Sequence, residues 1–327
     1  MCSNKIVLIL PWYGSLPGYF GAWLRTVRGM VFDVMFVSDV AVDTITSNKN
    51  DIPCNFHMIH MSKIDFCRLA SSKLGVSVNI DMPRKLCDLK PMYGKIFEEY
   101  ISSYDWWAFG DLDLVYGLRF NTVLESVVVS QYDVATMRKC WISGPFSMFR
   151  NKDICRDLYS RCAGWEKVVG RYKENCSFDE LGGEFFSEAI TGEIDVDKCA
   201  SFSGAVFSAY KNGEISLFHD DILTEIPLHG SDSVVVSPED NGCRVFMHEE
   251  ELCAFHLICV KGRRYFSQKQ LPGYENDFLI EETGLFSCSE YEITRTLVRQ
   301  IRKLQASVGS VRRNGIWASM KRLARSL

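Results

Sequence analysis

No stretch of this sequence supplies the roughly 20 apolar residues that a helix needs to cross a bilayer. The N-terminal run "IVLIL" breaks at once on Pro11 and lacks the length and small-residue cleavage site of a secretory signal, so the chain is expected to stay in the cytosol. Its 13 cysteines are odd in number, scattered, and never form a C-x-x-C pair. That argues against zinc and dithiol redox chemistry and fits reduced residues of a core. Internal repeats and low-complexity tracts are missing as well, as are G-x-x-x-x-G-K-S/T and G-x-G-x-x-G loops. Phosphates, if bound, must be held another way.

What is present suffices for a large core. The 327 residues, 47% hydrophobic and 24% charged, can build one big α/β domain or a domain with an appendage. The net charge of −4 conceals an asymmetry: residues 290–327 carry nine Lys and Arg against two Glu, a surplus of seven, which leaves the remainder at −11. We therefore expect a domain over 1–265 and, over 266–327, a linker and basic amphipathic helical tail with a different partner.

The first two hundred residues alternate strand-like and helix-like patterns. "KIVLIL" (5–10), "FDVMFVSD" (32–39), "CNFHMIHMS" (54–62) and "DWWAFG" (105–110) read as strands. Between them, "FGAWLRTVRGM", "KIDFCRLASSKLG" and "KPMYGKIFEEYISSY" have helical spacing, the second closed by Gly75 and the third with Pro91 early in it. This alternation predicts a mostly parallel sheet with helices on both faces and ligands beyond the carboxyl ends of the strands. Asp39 and the pair Asp111 and Asp113 fall at such ends.

In "YDWWAFGDLDLVYG" (104–117) the two aspartates are separated by one residue. An extended backbone points such residues to one side, where two carboxylates repel unless something positive lies between them. A divalent cation, Mn²⁺ or Mg²⁺, answers that need, with substrate phosphate oxygens completing its coordination. A surface turn with two solvated acids is the plain alternative. The apolar "WWAF" before the pair and "LVYG" after it place the acids at the edge of a core instead.

The run "RKLCDLKPMYGKIFEEYISSYDWWAFGDLDLVYG" (84–117), with "ISGPFSMFRN" (142–151) and "SFDE" (177–180), resembles bacterial glycosyltransferases of the GT-A fold that build surface polysaccharides of the O-antigen or capsule type. The resemblance spans most of residues 5–265. It implies a nucleotide-binding α/β domain whose aspartate pair holds a metal on the diphosphate of a nucleotide sugar, expected to be UDP-linked, with a saccharide or lipid-linked acceptor. It also implies a nucleoside contact at Asp39, nucleotide contacts at Asp88 and Lys90, and a sugar-side position for Gly144 and Ser147. A capping or turn role is the alternative for Asp39 and Asp88. Of the acids in "SFDELGGEFF", Asp179 is preferred to Glu180 as the base that deprotonates the acceptor, unless both merely sit in a helix first turn capped by Ser177.

A late histidine is a further metal ligand by the same resemblance, and His256 in "LCAFHLICVKGRRYF" is the candidate; on pattern alone it reads more readily as a satisfied core histidine. The bases follow later than the family pattern has them, leaving the phosphate role open between Lys261 and Arg263. No nucleic-acid partner is expected. In the tail, Ile293, Leu297, Ile301, Leu304 and Val308 recur at helical spacing among Arg295, Arg299, Arg302 and Lys303, a pattern suited to an anionic membrane surface or to a protein partner. Two rival readings remain: a phosphohydrolase of the haloacid dehalogenase type, with Asp111 as nucleophile, and a catalytically inactive sugar-nucleotide-binding protein.

Overall fold

The unbroken apolar run Ile6–Trp12 forms the strand β1, and a seven-stranded sheet assembles around it. The structure is a computed structural model that describes residues 5–41, 52–182, 201–229, 232–262, 277–282 and 284–287. On one side of β1 lie β2 (Phe32–Ser38) and β3 (Phe56–His60); on the other lies β4 (Trp106–Gly110), all parallel, with Leu8 opposite both Val34 and Ala108. Side chains alternate across β1 as the pleat requires. Val7 and Ile9 join one core with Trp107 and Phe109 of β4, while Ile6, Leu8 and Leu10 join another with Trp106 and Ala108.

Helices cover both faces. The face of Leu8 packs on α1 (Phe20–Val27), through Phe20 and Trp23, and on the helix Arg119–Val129. The face of Val7 packs on α2 (Lys63–Leu74), through Phe66 and Ala70. As its sequence predicts, α2 ends at Gly75, at φ 70°, a conformation that glycine adopts without strain; the structure adds a cap at its start, where Ser62 accepts from Asp65 N.

The sheet is mixed, which corrects the mostly parallel expectation. Beyond β4 comes β7 (Phe146–Arg150), antiparallel to both β4 and β6 (Val134–Thr136), and β8 (Leu217–His219) closes the edge parallel to β6. The connection 137–145 is too short for the crossover that a parallel return to the sheet needs, so β6 and β7 pair antiparallel. A second difference concerns "KPMYGKIFEEYISSY". Instead of one helix the chain makes short pieces: a helix over Lys85–Leu89, a 3₁₀ turn over Lys90–Met92, a helix over Tyr93–Ile96, and turns up to Tyr104. Pro91 has no N–H to continue a regular ladder, and this break buries Lys90.

Two small sheets complete the described fold. The strands β9 (Leu223–Thr224), β5 (Leu114–Tyr116) and β13 (Ala254–His256) form one, in the order β5-β13-β9. The other is antiparallel: β10 (Val234–Glu239), β11 (Gly242–Met247), β12 (Glu250–Leu252), β14 (Phe278–Glu281) and β15 (Gly284–Ser287). Its last two strands lie in the stretch read from sequence as linker. The basic tail beyond 287 lies outside the described residues, as does Arg263. Among the described residues no helix is long and apolar enough to cross a membrane, and the cysteines are free thiols.

Candidate metal centre and active site

At the carboxyl end of β4 the chain turns under the loop that precedes β7. Asp111 N donates to Pro145 O at 3.1 Å, and residues 111–113 form a turn in which Leu114 N approaches Asp111 O at 3.4 Å. The extended geometry predicted for the pair is therefore replaced by a turn. Leu112 is buried in the core, and the acids on either side of it still converge. His256 joins them because the antiparallel register sets it opposite Leu114 and Leu257 N donates to Asp113 O at 2.9 Å. One ligand atom each from Asp111, Asp113 and His256 lies within 4.8 Å of the others.

This donor set fits a divalent cation. His256 Nε2 lies 3.1 Å from Asp113 Oδ2 yet is a buried nitrogen that makes no hydrogen bond. Nδ1 is 2.6 Å from Glu225 Oε1. Nε2 thus faces a carboxylate without hydrogen-bond geometry, an arrangement that a cation between imidazole and carboxylates would account for. Asp111 keeps 28% of its side chain exposed, so the centre is open to solvent on one side. Carboxylate with imidazole suits Mn²⁺, and Mg²⁺ less well.

Charge is strongly organised here. Burial works against the Asp113 charge, but His256 and Lys261, which donates to Asp113 Oδ2, hold its carboxyl far below the usual carboxylate range. Burial would lower the His256 pKa; the carboxylates of Asp113 and Glu225 push it up to about 9 instead. A cation at Nε2 would displace that proton.

A second group of acids is joined to the first by one lysine. Lys90, buried, donates to Asp111 Oδ1 at 2.8 Å and to Gly144 O at 2.9 Å, and its ammonium lies 3.1 Å from Asp179 Oδ2. Three acceptors match the three protons of an ammonium, so a phosphate contact at Lys90 would require breaking one of these links. Asp179 is buried, and Glu180 Oε1 accepts from Gly144 N at 3.0 Å. Burial pushes the Asp179 carboxyl up to about 7; Lys90 pulls it down, and the charges of Glu180 and Asp111 add to the rise.

The turn that presents these acids is not a capped helix. Ser177 adopts φ 50°, and its carbonyl accepts from Glu180 N at 3.2 Å and Gly182 N at 2.9 Å. Asp88 holds that turn in place. Fully buried, its carboxylate accepts from Cys176 N and Phe178 N at 3.0 Å and from Lys85 Nζ at 2.9 Å. With its oxygens committed this way, Asp88 braces the acid turn and has no surface for the nucleotide contact expected of it. Ser147 is likewise buried inside β7, donating to Ser143 O at 2.9 Å. Asp39 is exposed at the end of β2, separated from β4 by β1.

Gly144 is where a side chain does not fit: a Cβ there would stand 2.8 Å from Asp179 Oδ2 and 3.1 Å from Glu180. Gly144→Ala is expected to push the acid pair aside and to lower turnover by about 10² while the fold survives, since misplacement by about 1 Å costs that much. Steady-state rates with a thermal melt alongside check it. Sequence reasoning missed two members of the site, Glu225 and Arg138. Arg138 stands beside Lys139 and Glu225 follows Asp220 and Asp221, and neither has a spacing that signals a partner far away in the chain.

The chain belongs to the family described as "Family of unknown function (DUF6625)", whose model matches residues 8–286. No curated protein matches it. Among solved structures, a protein assigned as a nucleotide-diphospho-sugar transferase from Desulfovibrio desulfuricans G20 is similar over 67% of this chain and 80% of its own, at 10% identity and a TM-score of 0.32. Mouse xyloside xylosyltransferase 1 in its apo form is similar over 68% and 87%, at 8% identity and a TM-score of 0.38. A197 from STIV covers 52% and 78%, at 14% identity and a TM-score of 0.27. Likeness at this level assigns no activity; the side chains of the site have to do that.

Proposed function

We propose that the protein is a metal-dependent glycosyltransferase that moves a sugar from a nucleotide sugar, UDP-linked by preference, to a saccharide or lipid-linked acceptor in surface polysaccharide synthesis. The convergence of Asp111, Asp113 and His256 at the carboxyl end of β4 carries this reading. It is supported by the resemblance of residues 84–117 and by the second acid pair across Lys90.

Asp111, Asp113 and His256 hold Mn²⁺ or Mg²⁺, which when bound offsets the charge that grows on a nucleoside diphosphate leaving group. Lys261, with its side chain 32% exposed beside Asp113, is the nearest described base for the diphosphate. Asp179, with a pKa near neutrality, takes the proton of the acceptor hydroxyl, and the Lys90 ammonium, 3.1 Å from its Oδ2, holds the acid in place. A peripheral position on the inner face of a membrane, through residues 290–327, belongs to the same proposal and rests on their sequence pattern.

Calorimetric titration of UDP with and without Mn²⁺ tests it. Binding is expected only with the metal, and metal-independent binding refutes the reading. A phosphorylated Asp111 trapped during turnover would support the phosphohydrolase instead.

A further inference from the structure

Behind His256 a chain of charged groups leads away from the acids. Glu225, just past β9, faces the imidazole with one oxygen, Oε1 standing 2.6 Å from Nδ1. Its other oxygen, Oε2, lies 2.5 Å from Arg138 Nη2. Arg138 is itself fixed, since Nη1 donates to Leu223 O at 2.9 Å and the guanidinium lies over the Trp141 ring at 5.8 Å. Arg138 and His256 are buried, and Glu225 keeps a quarter of its side chain exposed.

The backbone explains why these groups meet. β9 runs parallel to β13, with Thr224 opposite Phe255, so Glu225, the residue after β9, arrives level with His256, the last residue of β13. Arg138 comes from the connection 137–145, which also supplies Gly144. Nothing in the proton transfer or the metal ligation described above uses Glu225 or Arg138. A carboxylate on Nδ1 has a known physical effect on an imidazole that ligates through Nε2: it holds the proton on Nδ1, fixes the ring plane and raises the basicity of the other nitrogen.

We propose that Glu225, braced by Arg138, is a positioning residue that fixes the ring and tautomer of His256 so that Nε2 faces a divalent cation held by Asp111 and Asp113. This rests on the metal reading of the site. The bracing matters because a carboxylate with one oxygen free could rotate away from Nδ1, whereas Arg138 occupies the second oxygen and leaves the first in one place.

The test measures metal binding rather than turnover. Mn²⁺ is titrated into the full-length wild type, Glu225→Ala and Glu225→Gln, with bound ion followed by electron paramagnetic resonance and thermal melts recorded without metal. Glu225→Ala is expected to weaken Mn²⁺ by 10 to 100-fold, the usual cost of losing such a partner, and Glu225→Gln to recover part of it through its amide oxygen. In the Mg²⁺-loaded wild type the Nδ1 proton of His256 should resonate far downfield, and that signal should vanish in Glu225→Ala. If Glu225→Ala does not fold, Glu225→Gln alone carries the comparison. Wild type that binds Mn²⁺ while both variants bind equally well overturns the positioning role and leaves the metal centre standing. Wild type that takes up no Mn²⁺ overturns both.

Discussion

Replacing Asp113 by alanine is expected to abolish Mn²⁺-dependent nucleotide binding and sugar transfer together. The carboxylate is 3% exposed and is the common partner of His256 and Lys261. Its removal takes away one of three candidate ligands and leaves His256 Nε2 without the carboxylate it faces. Breaking a buried charge pair on one side costs about 3–5 kcal/mol, so a lower melting temperature is expected too, unlike the change of under ~1 kcal/mol usual for a surface turn. Asp113→Asn keeps the shape and isolates the charge: it should fold and still fail to bind nucleotide with Mn²⁺.

Acid titration adds a signed check. The folded-state pKa of Asp113 is depressed, so its contribution to stability is present above the unfolded value of about 4 and is lost as pH falls toward the folded one. Wild type should lose stability over that acidic window, and Asp113→Asn should lose less. Calorimetry of UDP with Mn²⁺ and melts against pH measure both. Full nucleotide affinity in the asparagine variant would remove the acid from the metal site.

The second large effect is expected at Asp179. Asp179→Asn should lower transfer by a factor of about 10² to 10⁴, as the loss of a general base does, while donor affinity stays nearly intact because the metal ligands are untouched. A base acts when unprotonated, and burial has pushed this carboxyl up to about 7, so the wild-type rate should rise as pH rises through neutrality. The asparagine variant should lose that step. Near-normal turnover would move the proton transfer to Glu180 or point to a retaining route.

The sequence made local elements readable and left their long-range partners hidden. Apolar runs gave β1, β2 and β4, and Gly75 marked the end of α2, because period and capping are properties of neighbours. Strand direction is not such a property, and β7 could be read as a strand without showing that it runs against β4. Within the site, Asp111 and Asp113 announced themselves by spacing, and His256 was reached through a family resemblance. Glu225 had neither signal. Asp88 and Lys90 were read as nucleotide contacts, and their neighbours in space were hidden: one carboxylate accepts from backbone amides, and one ammonium is shared by three acceptors.

The small sheet β5-β13-β9 also sets a timetable for the centre. It joins side chains as far apart as Asp113 and Lys261, 148 positions in sequence. Closing so wide a loop is entropically costly, and strands this short cannot hold it shut until the surrounding sheets exist. A nascent chain still emerging from the ribosome therefore owns both aspartates long before it owns the histidine. The candidate cation site is completed late, with β13, and a polypeptide that stops short of residue 256 has carboxylates at the end of β4 but not the full set of three groups.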